Sequence, residues 1–276
     1  MESKSFIKNL PASLFLLVVS LAFLFPVFYT LMVSFRVPGY GLTSQIIPDQ
    51  FYFGNYLRLM QFGLFPRQML NSVINAVGGA IVTCACSALA AYAFARLKFK
   101  GKNVMQTFVF IVMMLPALTN MIPLYKIASD LKLLNTYTVM IIILGAYGIP
   151  LGIWIMKGFF ESIPRELEEA AYIDGATPFQ AFWRVVVPIS SPGLVATFLI
   201  NLVYNWNNFF TPLVMINKAK MNMATVGLYT FQHTLEGNQD ELLAAGCVVI
   251  MVPTIILFIV MRRYFMQGMV EGAVKG

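Results

Sequence analysis

The hydrophobic residues of this chain fall in six long intervals that contain no Asp, Glu, Lys or Arg. The intervals are 9–35, 68–95, 103–125, 133–156, 185–217 and 242–261. Each reaches the roughly 20 residues with which an α-helix crosses a hydrocarbon layer about 30 Å thick. Strands that cross a membrane would be about 10 residues long with alternating polarity. The pattern therefore predicts an all-α integral membrane protein with six transmembrane helices.

We predict a single transmembrane domain over residues 1–276. Its spans are expected at about 11–35, 69–95, 104–125, 134–156, 190–213 and 242–261. Small residues recur at steps of four in the second span and predict close packing against another helix: Gly79, Thr83, Ser87 and Ala91. Prolines and glycines predict kinks or local opening in the third and fourth spans: Pro116, Pro123, Gly145, Gly148, Pro150 and Gly152.

The distribution of basic residues predicts the orientation of the chain. With a cytoplasmic N-terminus, twelve Lys and Arg residues lie on the cytoplasmic side and seven on the other. The densest cluster, Arg96 to Lys102, occupies a very short loop, where the positive-inside rule is most reliable. We therefore expect both termini and the loop 157–188 to be cytoplasmic. The first apolar run is too long for a signal peptide, so we interpret it as an uncleaved span.

Composition excludes several functional classes. With 59% hydrophobic and 11% charged residues, the chain is far from the roughly 25% charged residues of soluble domains. The net charge of +7 is explained by topology, so we expect no nucleic-acid partner. The three cysteines lie in apolar runs without metal spacing, and the single histidine, His233, has no partner at ligand or triad spacing. We expect no catalytic residue and no metal site.

The spans give no sign of an energy source within this chain. None of them contains an Asp, Glu, Lys, Arg or His, and proton- or voltage-coupled transporters need such groups inside the membrane. A phosphate-binding G-x-x-x-x-G-K-[ST] motif is also absent from the sequence. If ATP drives this protein, another chain must bind it.

The fifth span carries a row of amide side chains at helical spacing, Asn201, Asn205 and Asn208, with Tyr204 and Trp206 between them. Amides in hydrocarbon must face protein or water. One interpretation is a translocation path, because amides and aromatic rings bind neutral hydroxylated solutes. The alternative is hydrogen bonding between helices, with Trp206 at the membrane interface. The pattern leaves both open.

The longest charged interval of the chain is the loop that follows the fourth span. Its segment 161–188 carries five of the twelve acidic residues: Glu161, Glu166, Glu168, Glu169 and Asp174. Ser162 and Pro164 predict a helix start, Gly175 its end, and Thr177 with Pro178 the start of a second helix. Such a unit fits a groove on a partner protein. The alternative, a helix lying on the bilayer, is disfavoured because acidic residues are repelled by anionic headgroups.

These residues resemble a known family. Glu169, Ala170 and Ala171, followed by Gly175 and by three valines before Pro188, are similar to the EAA loop of permease subunits of bacterial ATP-binding-cassette importers. The fuller run to Pro178 resembles the carbohydrate-uptake branch, close to the smaller permease of the maltose transporter. The resemblance extends over nearly the whole chain: Ala88 to Arg96, Leu115 and Pro116, Ile122 to Tyr125, Trp206 to Phe209, and Gly268 to Gly276.

The resemblance implies a type I importer fold and a mechanism. The coupling positions to a separate ATPase would be Glu169, Ala170, Ala171, Asp174, Gly175 and Pro188. Expected partners are a second permease subunit, two ATPase subunits that bind ATP and Mg²⁺, an extracytoplasmic solute-binding protein and membrane lipid. No cofactor is expected on this chain itself. The sequence departs mildly from the family pattern at two places. Valines stand before Pro188 where the pattern prefers isoleucine and leucine, and Asn208 stands where many relatives have an acid.

We therefore interpret the chain as a non-enzymatic permease subunit in the bacterial cytoplasmic membrane that imports a sugar or oligosaccharide. One alternative stays in the same family with another solute, such as a glycerol phosphoester or a polyol. A second alternative is a secondary carrier. The charge-free spans and the EAA loop speak against the carrier, whereas nothing in the sequence excludes the other solutes.

Overall fold

The computed structural model describes residues 2–39, 45–61, 63–234 and 240–273, and the side-chain surroundings of 13–39, 45–61, 63–116, 118–229 and 240–259. Every regular element in these ranges is helical. The α-helices are α1 Glu2–Ser34, α2 Gly54–Gln61, α3 Phe65–Arg96, α4 Lys102–Met114, α5 Met121–Asp130, α6 Tyr137–Ser162, α7 Glu166–Ile173, α8 Pro178–Ala181, α9 Val187–Ile189, α10 Ser191–Trp206, α11 Phe210–Met215, α12 Ala224–Thr234 and α13 Asp240–Ala273.

Four helices are long and apolar enough to cross a membrane. They are Ser13–Ser34 of α1, all of α3 and α6, and Asp240–Ile259 of α13. Two further candidates are bent pairs, one joining α4 to Leu118–Asp130 and one joining Pro178–Ile189 to α10 through a bend of 75°. The described residues thus contain four candidate spans, or six if each bent pair is one span. The all-α class predicted from the sequence is confirmed.

The third span is broken where the sequence predicts a kink. Leu115 and Pro116 are both extended, with ψ of 125° and 127°, between α4 and a short 3₁₀ turn. Proline disfavours a helical conformation in the residue before it, which explains the extended Leu115. Pro123, by contrast, lies in the first turn of α5, where its missing N–H is not needed.

The fifth helix ends earlier than the expected residue 213. α10 stops at Trp206 and α11 begins at Phe210. Asn207 donates its amide Nδ2 to the oxygen of Val203 at 2.9 Å, and Asn208 accepts from the N–H of Thr211 at 3.1 Å. These two side chains satisfy the helix ends on either side of the break, as Asn commonly does at helix termini.

The chain divides into two compact units. One comprises 1–65 and 228–252, and the other comprises 66–227 and 253–276. In the first unit, buried Asn55 donates its Nδ2 to the carbonyls of Ser34 at 3.0 Å and Arg36 at 2.8 Å, which ties α2 to the end of α1. The prediction of one domain over 1–276 stays a prediction.

Helix α6 is the central element of the second unit and contributes to both of its hydrophobic clusters. The cluster beside the loop 163–190 contains buried Ala88, Ala91, Phe94, Ala95, Ile153, Met156, Phe160, Ile163, Phe182 and Val186. The other cluster contains Met121, Ala128, Val139, Met140, Ile143, Leu144, Met215, Ile216 and Met223. Although Pro150 lies inside it, α6 continues from Tyr137 to Ser162, so the expected opening of the fourth span does not break the helix.

Helices α3 and α6 approach closely along the small-residue row predicted in the second span. The Oγ1 of Thr83 donates to the carbonyl of Gly145 at 2.8 Å. A Cβ on Gly152 would lie 2.7 Å from Ser87 Oγ and 3.2 Å from Thr197 Cγ2 of α10. The packing function predicted for this row is therefore confirmed, and glycine is required on α6 because three helices meet there.

We expect Gly152→Val to lower the free energy of unfolding by about 1–3 kcal/mol, because the added side chain overpacks the contact with Ser87. The measurement is thermal unfolding of the detergent-solubilised protein. Gly158→Ala on the same helix is the matched control, since a Cβ there meets nothing within 4 Å. That variant should be unchanged or slightly stabilised. Equal melting temperatures for the two variants would contradict the close approach.

Candidate functional site

The loop between α6 and α10 forms the helix, turn and second helix that the sequence predicts. Helix α7 begins at Glu166, after Ile163 and Pro164, and carries three acidic residues in its first turn: Glu166, Glu168 and Glu169. Negative charge at this position is favourable, because the unpaired N–H groups make a helix start positive. The order of elements in the predicted loop is thus confirmed.

Gly175 ends α7 in the left-handed conformation, with φ of +85°. The N–H of Ala176 donates to the oxygen of Ala171 at 2.9 Å, and the N–H of Gly175 donates to that of Tyr172 at 3.0 Å. This pair of bonds is the Schellman arrangement that favours glycine. The position predicted for Gly175, just past the helix end, is confirmed.

Thr177 begins the second helix through a capping box. Its Oγ1 accepts from the N–H of Gln180 at 3.3 Å, and Gln180 Oε1 accepts from the N–H of Thr177 at 2.9 Å. Pro178 occupies the first helical position. After α8 the chain makes a π-helical turn over Phe182–Val186 and then α9, which ends at a sharp bend beside Ser190.

The six residues implied as ATPase-coupling positions lie on this loop, mostly in contact with solvent. Glu169, Ala170, Asp174 and Gly175 are exposed at α7 and its turn, whereas Ala171 is half-buried. Pro188 is exposed as well, but it lies in α9 on the far side of the turn. Among the described residues, five of the six positions are therefore exposed, and the role in coupling stays a prediction.

Three large apolar side chains on this loop are mostly exposed, although Trp183 packs edge-on against Phe179 and Phe182. Ile173 is 87% exposed, Phe179 65% and Trp183 51%. We call these three residues the apolar face of the loop. Exposed apolar side chains of this size are typical of a protein-binding surface. The arrangement can bind a partner protein but offers no catalytic chemistry.

Glu168 differs from its acidic neighbours because it is buried. Its Oε1 lies 2.5 Å from Nε of Arg96, and its Oε2 accepts from the hydroxyl of Tyr92 at 2.8 Å. The sequence pattern places Glu168 among the acidic residues of the loop and gives no indication of this contact. The partners are separated by 72 and 76 positions in the chain, so no local pattern could have paired them.

The asparagines of α10 make contacts inside the second unit. The Nδ2 of Asn201 donates to the carbonyl of Thr197 at 2.8 Å, and that of Asn205 donates to the carbonyl of Ala76 in α3 at 3.3 Å. Both residues are buried. The contact of Asn205 is the bond between helices that the packing alternative expected.

The other members of the predicted path are placed differently. Trp206 is buried, Asn208 is half-buried at the start of α11, and Tyr204 is 51% exposed. The structure therefore does not bring the five residues to one surface of this chain. Tyr204 is the member of the set that remains open to a solute or to another chain.

An open apolar hollow of about 460 Å³ lies between α3, α10 and the π-helical turn. Its lining includes Ile81, Leu89, Trp183 and Phe198. Sugar-binding sites need convergent polar groups for the hydroxyls, which this hollow lacks. Among the described residues, no group of three or more His, Cys, Asp or Glu side chains is placed to hold a metal ion; the side chain of His233 lies outside them.

Comparison with known proteins places this architecture in a family. The model of the family described as "binding-protein-dependent transport system inner membrane component" matches residues 85–271. The arabinooligosaccharides transport system permease of Halalkalibacterium halodurans is 33% identical, covering 98% of this chain and 99% of that protein. The trehalose transport system permease of Mycobacterium tuberculosis is 32% identical, covering 94% and 95%. The melibiose/raffinose/stachyose import permease of Bacillus subtilis is 30% identical, covering 94% of both.

A solved structure shares the fold over nearly the full length. A chain of a bacterial ATP-binding-cassette transporter that imports the acidic polysaccharide alginate aligns with a TM-score of 0.82 at 25% identity, covering 95% of this chain and 98% of that one. The family match spans more than half of the chain, and the relatives align almost from end to end. This chain belongs to the family of inner membrane components of binding-protein-dependent transport systems, and it is a multi-pass membrane permease.

Proposed function

We propose that this chain is a permease subunit of an ATP-driven importer and translocates a sugar or oligosaccharide delivered by an extracytoplasmic binding protein. The proposal is carried by the nearly full-length similarity to permeases named for arabinooligosaccharides, for trehalose and for melibiose, raffinose and stachyose. Solutes of this class are neutral and hydroxylated. Spans without ionisable side chains suit such a cargo, because no charge has to be balanced inside the membrane.

The other components follow from what this chain lacks. Its sequence has no phosphate-binding motif, so ATP and Mg²⁺ would bind to two separate ATPase subunits on the cytoplasmic side. A second permease subunit would complete the pore, and the binding protein would dock on the outer loops. The complex would lie in the bacterial cytoplasmic membrane, with both termini of this chain in the cytoplasm.

The loop between α6 and α10 would receive the movement of the ATPase. Glu169, Ala170 and Gly175 are exposed at α7, and the side chains of Ile173 and Phe179 in the apolar face of the loop are 87% and 65% exposed. Burying the side chain of Ile173 in a groove of the ATPase would contribute about 1.5–3 kcal/mol to binding. The loop is continuous with α6 and α10, so a force on it acts directly on both helices.

Tyr204 is the residue of the predicted path that we assign to solute contact. Its ring is half-exposed on α10, whereas Asn205 ties α10 to α3 through the carbonyl of Ala76, and Asn201 bonds within α10 itself. An exposed aromatic ring can stack against the apolar face of a sugar, and its hydroxyl can bond to the solute. Asn205 would then act on transport indirectly, by holding α10 against α3.

The cargo class is tested by uptake. Cells of the source organism that lack this chain should lose ATP-dependent uptake of at least one radiolabelled probe among trehalose, raffinose and an arabinose trisaccharide. Glycerol 3-phosphate uptake should be unchanged. Loss of glycerol 3-phosphate uptake alone would contradict the carbohydrate assignment. Uptake that persists in ATP-depleted cells with an intact ion gradient would instead support a secondary carrier.

The docking surface is tested by one substitution. Ile173→Glu should reduce co-purification of the ATPase with this chain by about tenfold or more, because a buried charge without a partner opposes binding. The protein itself should remain folded, since Ile173 is 87% exposed. Leu131→Glu is the matched control: Leu131 is 63% exposed and lies on the outer side in the proposed topology. Equal ATPase recovery in both variants would refute this docking surface.

The translocation path is tested by comparing neighbours on α10. Tyr204→Ala should change the apparent KM or rate of sugar uptake while thermal stability is retained, since its ring is half-exposed. Asn205→Leu should lower thermal stability, because it removes the bond to Ala76 and enlarges a buried side chain. Unchanged transport in Tyr204→Ala would remove that residue from the path.

A further inference from the structure

The end of α3 is joined to the loop by a buried cluster of three side chains. Glu168 on α7 accepts from Arg96 Nε at 2.5 Å through one carboxylate oxygen and from the Tyr92 hydroxyl at 2.8 Å through the other. Arg96 also donates its Nη2 to the carbonyl of Ile163 at 2.7 Å. The guanidinium therefore binds both the start of the loop and its first helix.

The cluster is enclosed by hydrophobic groups. The side chains of Arg96 and Glu168 are 8% and 6% exposed. The ring of Tyr92 packs against Phe182, with the centroids 4.8 Å apart, and against Phe160 at 6.0 Å. Because the side chains of Arg96 and Glu168 are largely shielded from water, removing either charge would leave the other poorly solvated and without its ion-pair partner, which is more costly than breaking an exposed pair.

Tyr92 and Arg96 are four residues apart and so lie on one face of α3. This spacing directs both donors toward the same carboxylate. Lysine could not replace Arg96 fully, because one ammonium is a point charge that lacks the fixed fork of the guanidinium. The geometry thus specifies one orientation of α7 relative to the end of α3.

Helix α3 has no direct chain connection to this loop, unlike α6 and α10. At the same time α3 contacts both of those helices deeper in the unit, through Thr83 with the carbonyl of Gly145 and through the carbonyl of Ala76 with Asn205. A displacement of α7 therefore reaches α6 and α10 along the chain, whereas it reaches α3 through the buried cluster.

We propose that Tyr92, Arg96 and Glu168 are positioning residues that make α3 move with α7 when the ATPase acts on the loop. The inference rests on the proposed function. Without this cluster, α6 and α10 would move with the loop while α3 would not, and the contacts among the three helices would be strained. ATP hydrolysis would then continue with less transport for each ATP consumed.

The test uses the whole complex, purified through a tag on this chain, reconstituted in liposomes with its binding protein and supplied with the radiolabelled sugar identified by the uptake experiment. Glu168→Gln keeps the size of the side chain and an oxygen for Tyr92, but removes the charge that binds Arg96. We expect the amount of sugar transported per ATP hydrolysed to fall about fivefold or more, the scale of typical coupling between sites. The ATPase should still co-purify, because the apolar face of the loop is unchanged.

Two milder variants keep the test informative if Glu168→Gln does not assemble. Tyr92→Phe removes one hydrogen bond, and Arg96→Lys keeps the charge but loses the forked contact; both should lower the same ratio by smaller amounts. Glu161→Gln is the matched control. It removes an exposed carboxylate that pairs with Lys157 at 3.0 Å on the last turns of α6. The amount of sugar transported per ATP hydrolysed should therefore equal that of the wild type.

The amount of sugar transported per ATP hydrolysed distinguishes a positioning role of these residues from a purely stabilising one. A structural role alone would lower transport and hydrolysis together, in proportion to the assembled complex, and that result would overturn the inference. Unchanged ratios in all assembled variants would overturn it as well. Wild-type uptake that does not depend on ATP would instead refute the proposed function, and the inference would fall with it.

Discussion

Hydrocarbon cannot form hydrogen bonds, so each polar atom within the spans of this permease must find a partner in protein. The second unit meets this constraint in part by packing α3, α6 and α10 together, while Asn75 Oδ1, Thr197 Oγ1 and Asn205 Oδ1 are buried without a hydrogen bond among the described residues. Thr83 donates to the carbonyl of Gly145, Asn201 to that of Thr197 and Asn205 to that of Ala76. Gly145 lets the backbone of α6 come close enough to α3 for the bond from Thr83, and Asn205 joins α10 to α3, whereas the bond of Asn201 lies within α10. The requirement for internal partners thus explains both the small-residue rows and the positions of the amides.

The acidic residues of the loop fall into two groups, those exposed to solvent and the one that is buried and hydrogen-bonded. Glu169 and Asp174 contact solvent and remain free to meet a partner protein. Glu168 lies among aromatic rings and is held by Arg96 and Tyr92. One short helix therefore presents a binding surface on one side and attaches itself to the membrane helices on the other. In the proposed importer, this division lets the ATPase bind the loop while the loop moves the spans.

Membership of the family relates the exposed loop and the apolar spans to transport. In the proposed importer, this subunit would bind a separate ATPase and would hold a path for a neutral solute. The exposed apolar face of the loop fits the first requirement, and the charge-free spans fit the second. The fold is shared over nearly the full length with a chain of an alginate importer.

The sequence by itself determined the class of the protein, the number of apolar intervals and the outline of the loop. These depend on local properties: the length of charge-free runs, the break at Pro116, the left-handed Gly175 and the cap at Thr177. Only the tertiary structure decided that Glu168 is buried while Glu169 is exposed, that α10 ends at Trp206, and that Asn205 bonds to α3 rather than lining an open surface. The burial of Glu168 and the bond of Asn205 depend on residues 72 and 129 positions away, and helical periodicity carries no information about such distant partners.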